Sequence, residues 1–394
     1  MTFATLPLSY CTNVHPGRTV AEVISGLIEH TADVRRRVDF PMAAGLWLSA
    51  RVADELSGDQ AALERLAQTL WQHDLCCYTL NTFPFGDFHS ERVKEQVYLP
   101  DWSSPDRVRY TQQCAALLAQ LLPANGEGSL STVPLAGRMN PRASGFLDAC
   151  WNNLIEFALY LRQIHETTGR KIRLAIEPEP FCEMDRTLET TLPLFEQLFA
   201  VAEAAGHGSL VREYIGLCFD VCHQAVVFED VANSIGLIDQ AGIRINKVHI
   251  TNAVELLDPA NNVAGREMLC QFVEPRYLHQ TYAQTASGQV VFREDLKRED
   301  ILRVPPDEFM QARSWRVHFH VPIFAESIGP LSTTRPDLIA ALNRVAELEY
   351  APQLEVETYT WPVMPNASPD RPPETISERI ANELISTAEL LSDY

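Results

Sequence analysis

The sequence predicts a (β/α)8 TIM barrel. Short apolar runs alternate with amphipathic helical segments through the first two thirds of the chain, the pattern of a parallel α/β sheet. Setting aside one irregular stretch after the seventh run leaves eight strands and about eight helices, which fits a closed barrel better than an open sheet. Four of the strand-like runs end in an acid or an imidazole, where barrel enzymes carry their chemistry.

The elements follow in order. The first strand is 6–14, LPLSYCTNV, and Thr19 is placed to cap the helix that follows it. Strand two is 44–49 and strand three 75–84, with an amphipathic helix over 58–73 between them. The loop 85–105 is long and carries His89, Lys94, Tyr98, Asp101 and Trp102; a loop of that length and aromatic content reads as functional. Strand four is 129–135, strand five 172–177, strand six 215–221 and strand seven 245–251, with helices over 105–122, 146–167, 187–205 and 231–240. The alternation then breaks over 253–315. Within that insertion FVEPRYLHQTYAQ and GQVVFREDL read as two strands of a hairpin joined by TASG. RVHFHVPI is a further strand-like run, and Thr334 stands where it can cap the next helix. LEVETYTW is the last strand and 377–393 the last helix; 362–373 is the one proline-rich stretch. The whole of 1–394 is thus expected to be one decorated barrel domain.

Composition narrows the partners. The chain has 394 residues, 46% of them apolar, enough for a large core. Its formal net charge of -20 argues against a nucleic-acid partner, because phosphate binding needs clustered Lys and Arg. Nine cysteines show no metal-ribbon spacing and sit mostly in apolar runs, which suits a reducing, cytoplasmic setting. The run MTFATLPLSY has neither a basic nor an apolar signal region, and no stretch is long enough for a membrane span. No Gly-rich phosphate loop and no nucleophile elbow occur. A small-molecule metabolite is the expected partner, and a homo-oligomer is compatible with the sequence.

The candidate site gathers at strand ends. Glu177, Asp220, His249 and Glu357 each close a predicted strand. An isolated buried carboxylate is costly, and a divalent cation is its strongest partner. Three carboxylates with one imidazole suit Mn²⁺, Mg²⁺, Co²⁺ or Zn²⁺. His223 would face the same mouth. Glu179 stands two residues past Glu177, placed to cap or to contact substrate. Glu355 shares the strand face of Glu357 but lies deeper, and needs a cation there, Arg173 or Lys247. His318 and His320 share one strand face, and with Arg276, Tyr277 and His279 read as a substrate-facing wall. As a zinc pair the two histidines lack an obvious third ligand.

The set Glu177, Asp220-x-x-His223, His249 and Glu357 resembles the xylose-isomerase-like barrel superfamily of sugar isomerases, epimerases and endonuclease-IV-type enzymes. Longer strings (YCTNVHPG, GLWLSA, VKEQVYLPDW, FDVCHQAVVFED, EPRYLHQ, HFHVPI and LEVETYTW among them) resemble the EboE family of metabolite-traffic proteins along nearly the whole chain. The superfamily implies a divalent metal on two Glu, one Asp and one His, with Glu177 and Glu357 as acid and base on a ketose and His223 on a substrate oxygen. Its epimerases carry an Arg soon after the strand-seven His. Here that run is HITNAVELLD, which leaves Arg266 or Arg276 of the insertion as substitutes. The resulting expectation is a metal-dependent isomerase or epimerase of a sugar- or cyclitol-like metabolite. The rivals are a non-catalytic carrier of the same fold and a metal-dependent phosphodiesterase.

Overall fold

The computed structural model describes residues 6–302, 308–365 and 374–392. Most of the proline-rich stretch, the last residue of the expected final helix and the first five residues of the chain lie outside these. Seven strands come first: β1 (Leu8–Cys11), β2 (Met42–Trp47), β3 (Thr79–Asn81), β4 (Glu127–Thr132), β5 (Lys171–Ile176), β6 (Ile215–Asp220) and β7 (Ile245–Ile250). Six more follow: β8 (Ala253–Leu257), β9 (Thr281–Gln284), β10 (Val290–Arg293), β11 (Ser314–His320), β12 (Ser327–Ile328) and β13 (Leu331–Thr333). The last is β14 (Gln353–Val356).

The first seven and β14 form a closed parallel barrel, with β1 paired to both β2 and β14. This is the (β/α)8 architecture. β1 and β3 are shorter than the apolar runs that encode them, because residues at the mouth leave the ladder to make other bonds. Asn81 Oδ1 accepts from Phe83 N and turns the chain out of β3. Thr12, just past β1, accepts from Trp47 N through its hydroxyl. β6 stops one residue earlier than expected because Asp220 caps the helix Val221–Val226, accepting from His223 N.

Thr19 caps its helix as expected, accepting from Glu22 N. Thr334 does not. Its hydroxyl instead accepts from Ala253 N and donates to Asn252 Oδ1, tying the start of the helix Arg335–Ala346 to the end of the barrel. The helix Ala50–Gly58, capped by Ser49, was not legible in the sequence.

The six strands between β7 and β14 make a second, antiparallel sheet, in the order β10-β9-β11-β8-β13-β12. The hairpin is β9 with β10. RVHFHVPI supplies β11, an interior strand of this sheet, so the sheet runs on through Thr333. It has its own core of Val254, Leu256, Phe272, Trp315, Val317 and Phe319. One face of β11 feeds that core and the other presents His318 and His320, the strand period at work.

Candidate metal centre

β5, β6, β7 and β14 bring four side chains to one point. Glu177, Asp220, His249 and Glu357 each offer a ligand atom, all within 4.8 Å of one another, and all four residues are buried. His249 Nδ1 lies 2.9 Å from Glu177 Oε1, 3.3 Å from Glu357 Oε2 and 3.6 Å from Asp220 Oδ2. The outer atoms of the set are held by neighbours. Asp220 Oδ1 accepts from Thr251 Oγ1 at 2.6 Å. Glu357 Oε1 accepts from Asn13 Nδ2 and Asn81 Nδ2, each at 2.9 Å. That leaves Asp220 Oδ2 and Glu177 Oε2 buried without a hydrogen-bond partner. Orphaned carboxylate oxygens around a shared point are what a cation site leaves when only protein atoms are counted. The donor set therefore fits a divalent ion, with oxygen in the majority.

Behind His249, its Nε2 lies 3.3 Å from Glu355 Oε1, which is 2.6 Å from Lys247 Nζ. Of the two cations expected for Glu355, Lys247 is the partner; Arg173 pairs with Glu127 instead. The contact between His249 and Glu355 is an ion-pair approach without a hydrogen bond, and it sets a carboxylate behind the imidazole. Burial works against ionising Glu355, yet Lys247 and His249 bring its carboxyl down to about 2. Room for it comes from Gly45, where a Cβ would fall 1.6 Å from Glu355 Oε2. The carboxylates also act on the histidines. Burial lowers His249, but Cys218, Glu177 and Glu357 together push it well above its ordinary value. His223 is raised too, against burial, by Asp220, Glu179, Glu177 and Glu357. Glu357 itself is pushed up to about 7, chiefly by burial and then by Glu177 and Asp220.

A cavity opens onto this cluster. Its floor includes Glu177, Glu357, His223 and His318, and its upper walls are apolar, with Phe83, Phe88, Val97 and Tyr359 among them. The loop 85–105 supplies Val93, Lys94 and Tyr98 to the wall, and the inserted segment supplies Tyr277, Leu278, Gln280 and His318. Glu179 also faces the cavity, beside His223 and His318. It accepts from Tyr98 Oη at 2.7 Å and Gln280 Nε2 at 3.3 Å, and burial raises its carboxyl to about 7.

Arg266, Arg276 and His279 are not among the residues that line the cavity. Arg266 Nη1 is spent on the carbonyls of Pro259 and Ala260. The Arg276 guanidinium lies over the ring of Tyr277, outside the mouth. His279 stacks on Phe319, on the far face of β11. Sequence reasoning missed the roles of Asn13, Asn81, Thr251 and Gln280. The first three carried a signal, a small polar side chain within two residues of a barrel strand's carboxyl end.

An eight-stranded parallel barrel with a buried carboxylate and imidazole cluster at its mouth is the class this chain presents. No protein-family model matches the chain, and no curated protein matches it. Among solved structures it is similar to an IolI protein crystallised with a bound zinc atom, at 14% identity and a TM-score of 0.48 over 99% of each chain. It is similar to a D-tagatose 3-epimerase-like protein at 13% identity and a TM-score of 0.45, over 98% of this chain and 99% of that one. A family 2 AP endonuclease from Brucella melitensis matches at 16% identity and a TM-score of 0.36, over 62% of this chain and 79% of that one. At these values the likeness carries no argument, and the fold class rests on the strand order. No helix among the described residues is long and apolar enough to cross a membrane.

Proposed function

We propose that this protein is a metal-dependent isomerase or epimerase of a small polyhydroxylated metabolite carrying a carbonyl group. The observation that carries the reading is the four-residue cluster, with two glutamates arriving from separate strands and buried oxygens left unpaired. Glu177, Asp220, His249 and Glu357 would hold the ion. When bound, such an ion polarises a carbonyl and its neighbouring hydroxyl and favours loss of the intervening carbon-bound proton.

The chain's own residues supply the rest. Glu177 and Glu357 both face the cavity, so one can take a proton from carbon and the other return it. Asn13 and Asn81 hold Glu357 Oε1 and so orient its other oxygen toward the ligand set. The upper walls exclude water from the floor. The resemblance to EboE metabolite-traffic proteins sets this reaction beside the making or moving of a metabolite. It also keeps a carrier of the same fold as the second reading.

The test is solvent exchange. Metal-loaded protein incubated in D₂O with α-hydroxy ketoses and cyclitol ketones should place deuterium on the carbon beside the carbonyl. Glu177→Gln or Glu357→Gln should abolish labelling, because an amide cannot act as the base. Metal content is measured in the same variants to separate lost chemistry from lost metal. Binding without exchange in metal-loaded wild type would favour the carrier.

A further inference from the structure

We propose that the metabolite taken by this cavity carries an apolar substituent beside its oxygenated head, so that a free sugar fills only the floor of the site. The proposal rests on the isomerase reading for the head group alone. The substituent is inferred from the upper wall.

The cavity is divided by polarity. Its floor holds Glu177, Glu357, His223 and His318. Above them the lining changes to Phe83, Phe88, Val97 and Leu278, with the rings of Tyr277 and Tyr359. Phe88, Tyr277 and Tyr359 pack on one another. Ring centroids are 5.0 Å apart for Phe88 with Tyr277 and for Tyr277 with Tyr359, and 5.3 Å for Phe88 with Tyr359. Rings in mutual contact hold one another's orientation, so this wall is a preformed apolar surface.

The polar side chains that reach the wall are already engaged. Tyr98 Oη donates to Glu179 Oε1 at 2.7 Å. Lys94 Nζ is 2.6 Å from Asp295 Oδ2, and Tyr277 Oη donates to the carbonyl of Phe88 at 3.4 Å. Among the described residues that leaves the Tyr359 hydroxyl as the remaining side-chain donor of the upper wall. A sugar chain extended upward from the floor would press several hydroxyls against this surface. Each would give up water and meet carbon, which costs affinity. A methylene in the same place gains about fourfold in affinity. The wall therefore selects carbon and hydrogen over hydroxyl.

The wall is also held in one shape. It is built by the two segments that depart from a plain barrel, the loop 85–105 and the insertion after β7, and these are pinned to each other. Val93 N and Lys94 N both donate to the carbonyl of Arg276, at 2.9 and 3.0 Å. The ion pair of Lys94 with Asp295 makes a second link between them. Tyr359 stands just past β14, so the third ring is anchored to the barrel itself.

The experiment follows binding and exchange on one series of compounds. The probes are L-erythrulose and its 4-O-methyl, 4-O-propyl, 4-O-pentyl and 4-O-(2-hydroxyethyl) ethers, offered to the whole chain loaded with Mn²⁺. Affinity is read by calorimetry and exchange by deuterium incorporation from D₂O. From the methyl to the pentyl ether, affinity should rise about fourfold for each methylene. The hydroxyethyl ether matches the propyl ether in length and should bind about tenfold more weakly. Val97→Thr keeps the size of the side chain and adds a hydroxyl to the wall, so it should lower the gain per methylene. Phe88→Ala, checked for folding by circular dichroism, should lower it too. An affinity that ignores chain length or falls with it overturns the apolar substituent, and deuterium on L-erythrulose in that case leaves the isomerase reading standing. An undiminished gain in both variants, or no binding by any of the ethers, also overturns the substituent. A gain with chain length and no deuterium in any compound upholds the substituent and overturns the isomerase reading in favour of the carrier.

Discussion

Glu383 shows what a single buried acid does away from the mouth. It lies on the helix Ile376–Ser392 and accepts from Thr358 Oγ1, Trp361 Nε1 and Ile323 N at 2.7, 2.8 and 3.3 Å. Burial outweighs those donors and raises its carboxyl to about 7. The folded chain thus keeps a proton that the unfolded chain releases near pH 4.3. Its contribution to stability is full below about pH 4.3 and is lost as pH rises through about 7. Glu383→Gln should flatten the fall in unfolding free energy between about pH 5 and 8 by an amount on the order of 3 kcal/mol. Urea titrations across that range measure it, and an unaltered slope in the variant would refute the assignment. The acids of the candidate metal site were legible in the sequence because each closes an apolar run. Glu383 sits inside an amphipathic helix, where nothing local marks it as buried.

At the scale of elements, β11 joins the two sheets' tasks. Phe319 packs edge-on against Phe272, with ring centroids 5.1 Å apart, while its neighbours His318 and His320 face the barrel. Phe319→Ala removes a ring that is 1% exposed and should cost about 3–5 kcal/mol. The loss belongs to the second core, so amide exchange should quicken in β9 and β11 and stay slow in β5 and β6. Equal acceleration in the barrel strands would show that the two sheets unfold as one unit. RVHFHVPI was readable as a strand from its alternation. Its place inside a six-stranded sheet was not, because the antiparallel partners β8 and β9 are set by pairing over long separations.

For the whole molecule, the mouth gathers Glu177, Glu179, Asp220, Glu355 and Glu357 around a single lysine, Lys247, on a chain already at -20. An ion that binds only the folded form stabilises it by mass action, about 2.7 kcal/mol at a hundredfold excess over Kd. Adding Zn²⁺ or Mn²⁺ to chelator-treated protein should therefore raise the thermal midpoint, and Asp220→Ala should remove most of the gain. An equal gain in Asp220→Ala would place the binding elsewhere. The same charge opposes polyanions, so fluorescence anisotropy should detect no duplex DNA binding at moderate salt; a tight, salt-dependent complex would revive the phosphodiesterase reading.

The sequence by itself determined the barrel, since the alternation of strand and helix periods and the count of eight need no long-range information. It also placed Glu177, Asp220, His249 and Glu357 together, because strand ends converge once a barrel closes. Tertiary structure alone decided which cation meets Glu355, where Lys247 and Arg173 were equal candidates until the inward face of β7 was known. It alone turned Arg276 and His279 away from the cavity and brought His320 to Asp220. Those contacts depend on how the inserted sheet leans on the mouth, and that angle is set by packing between two cores, which no local pattern encodes.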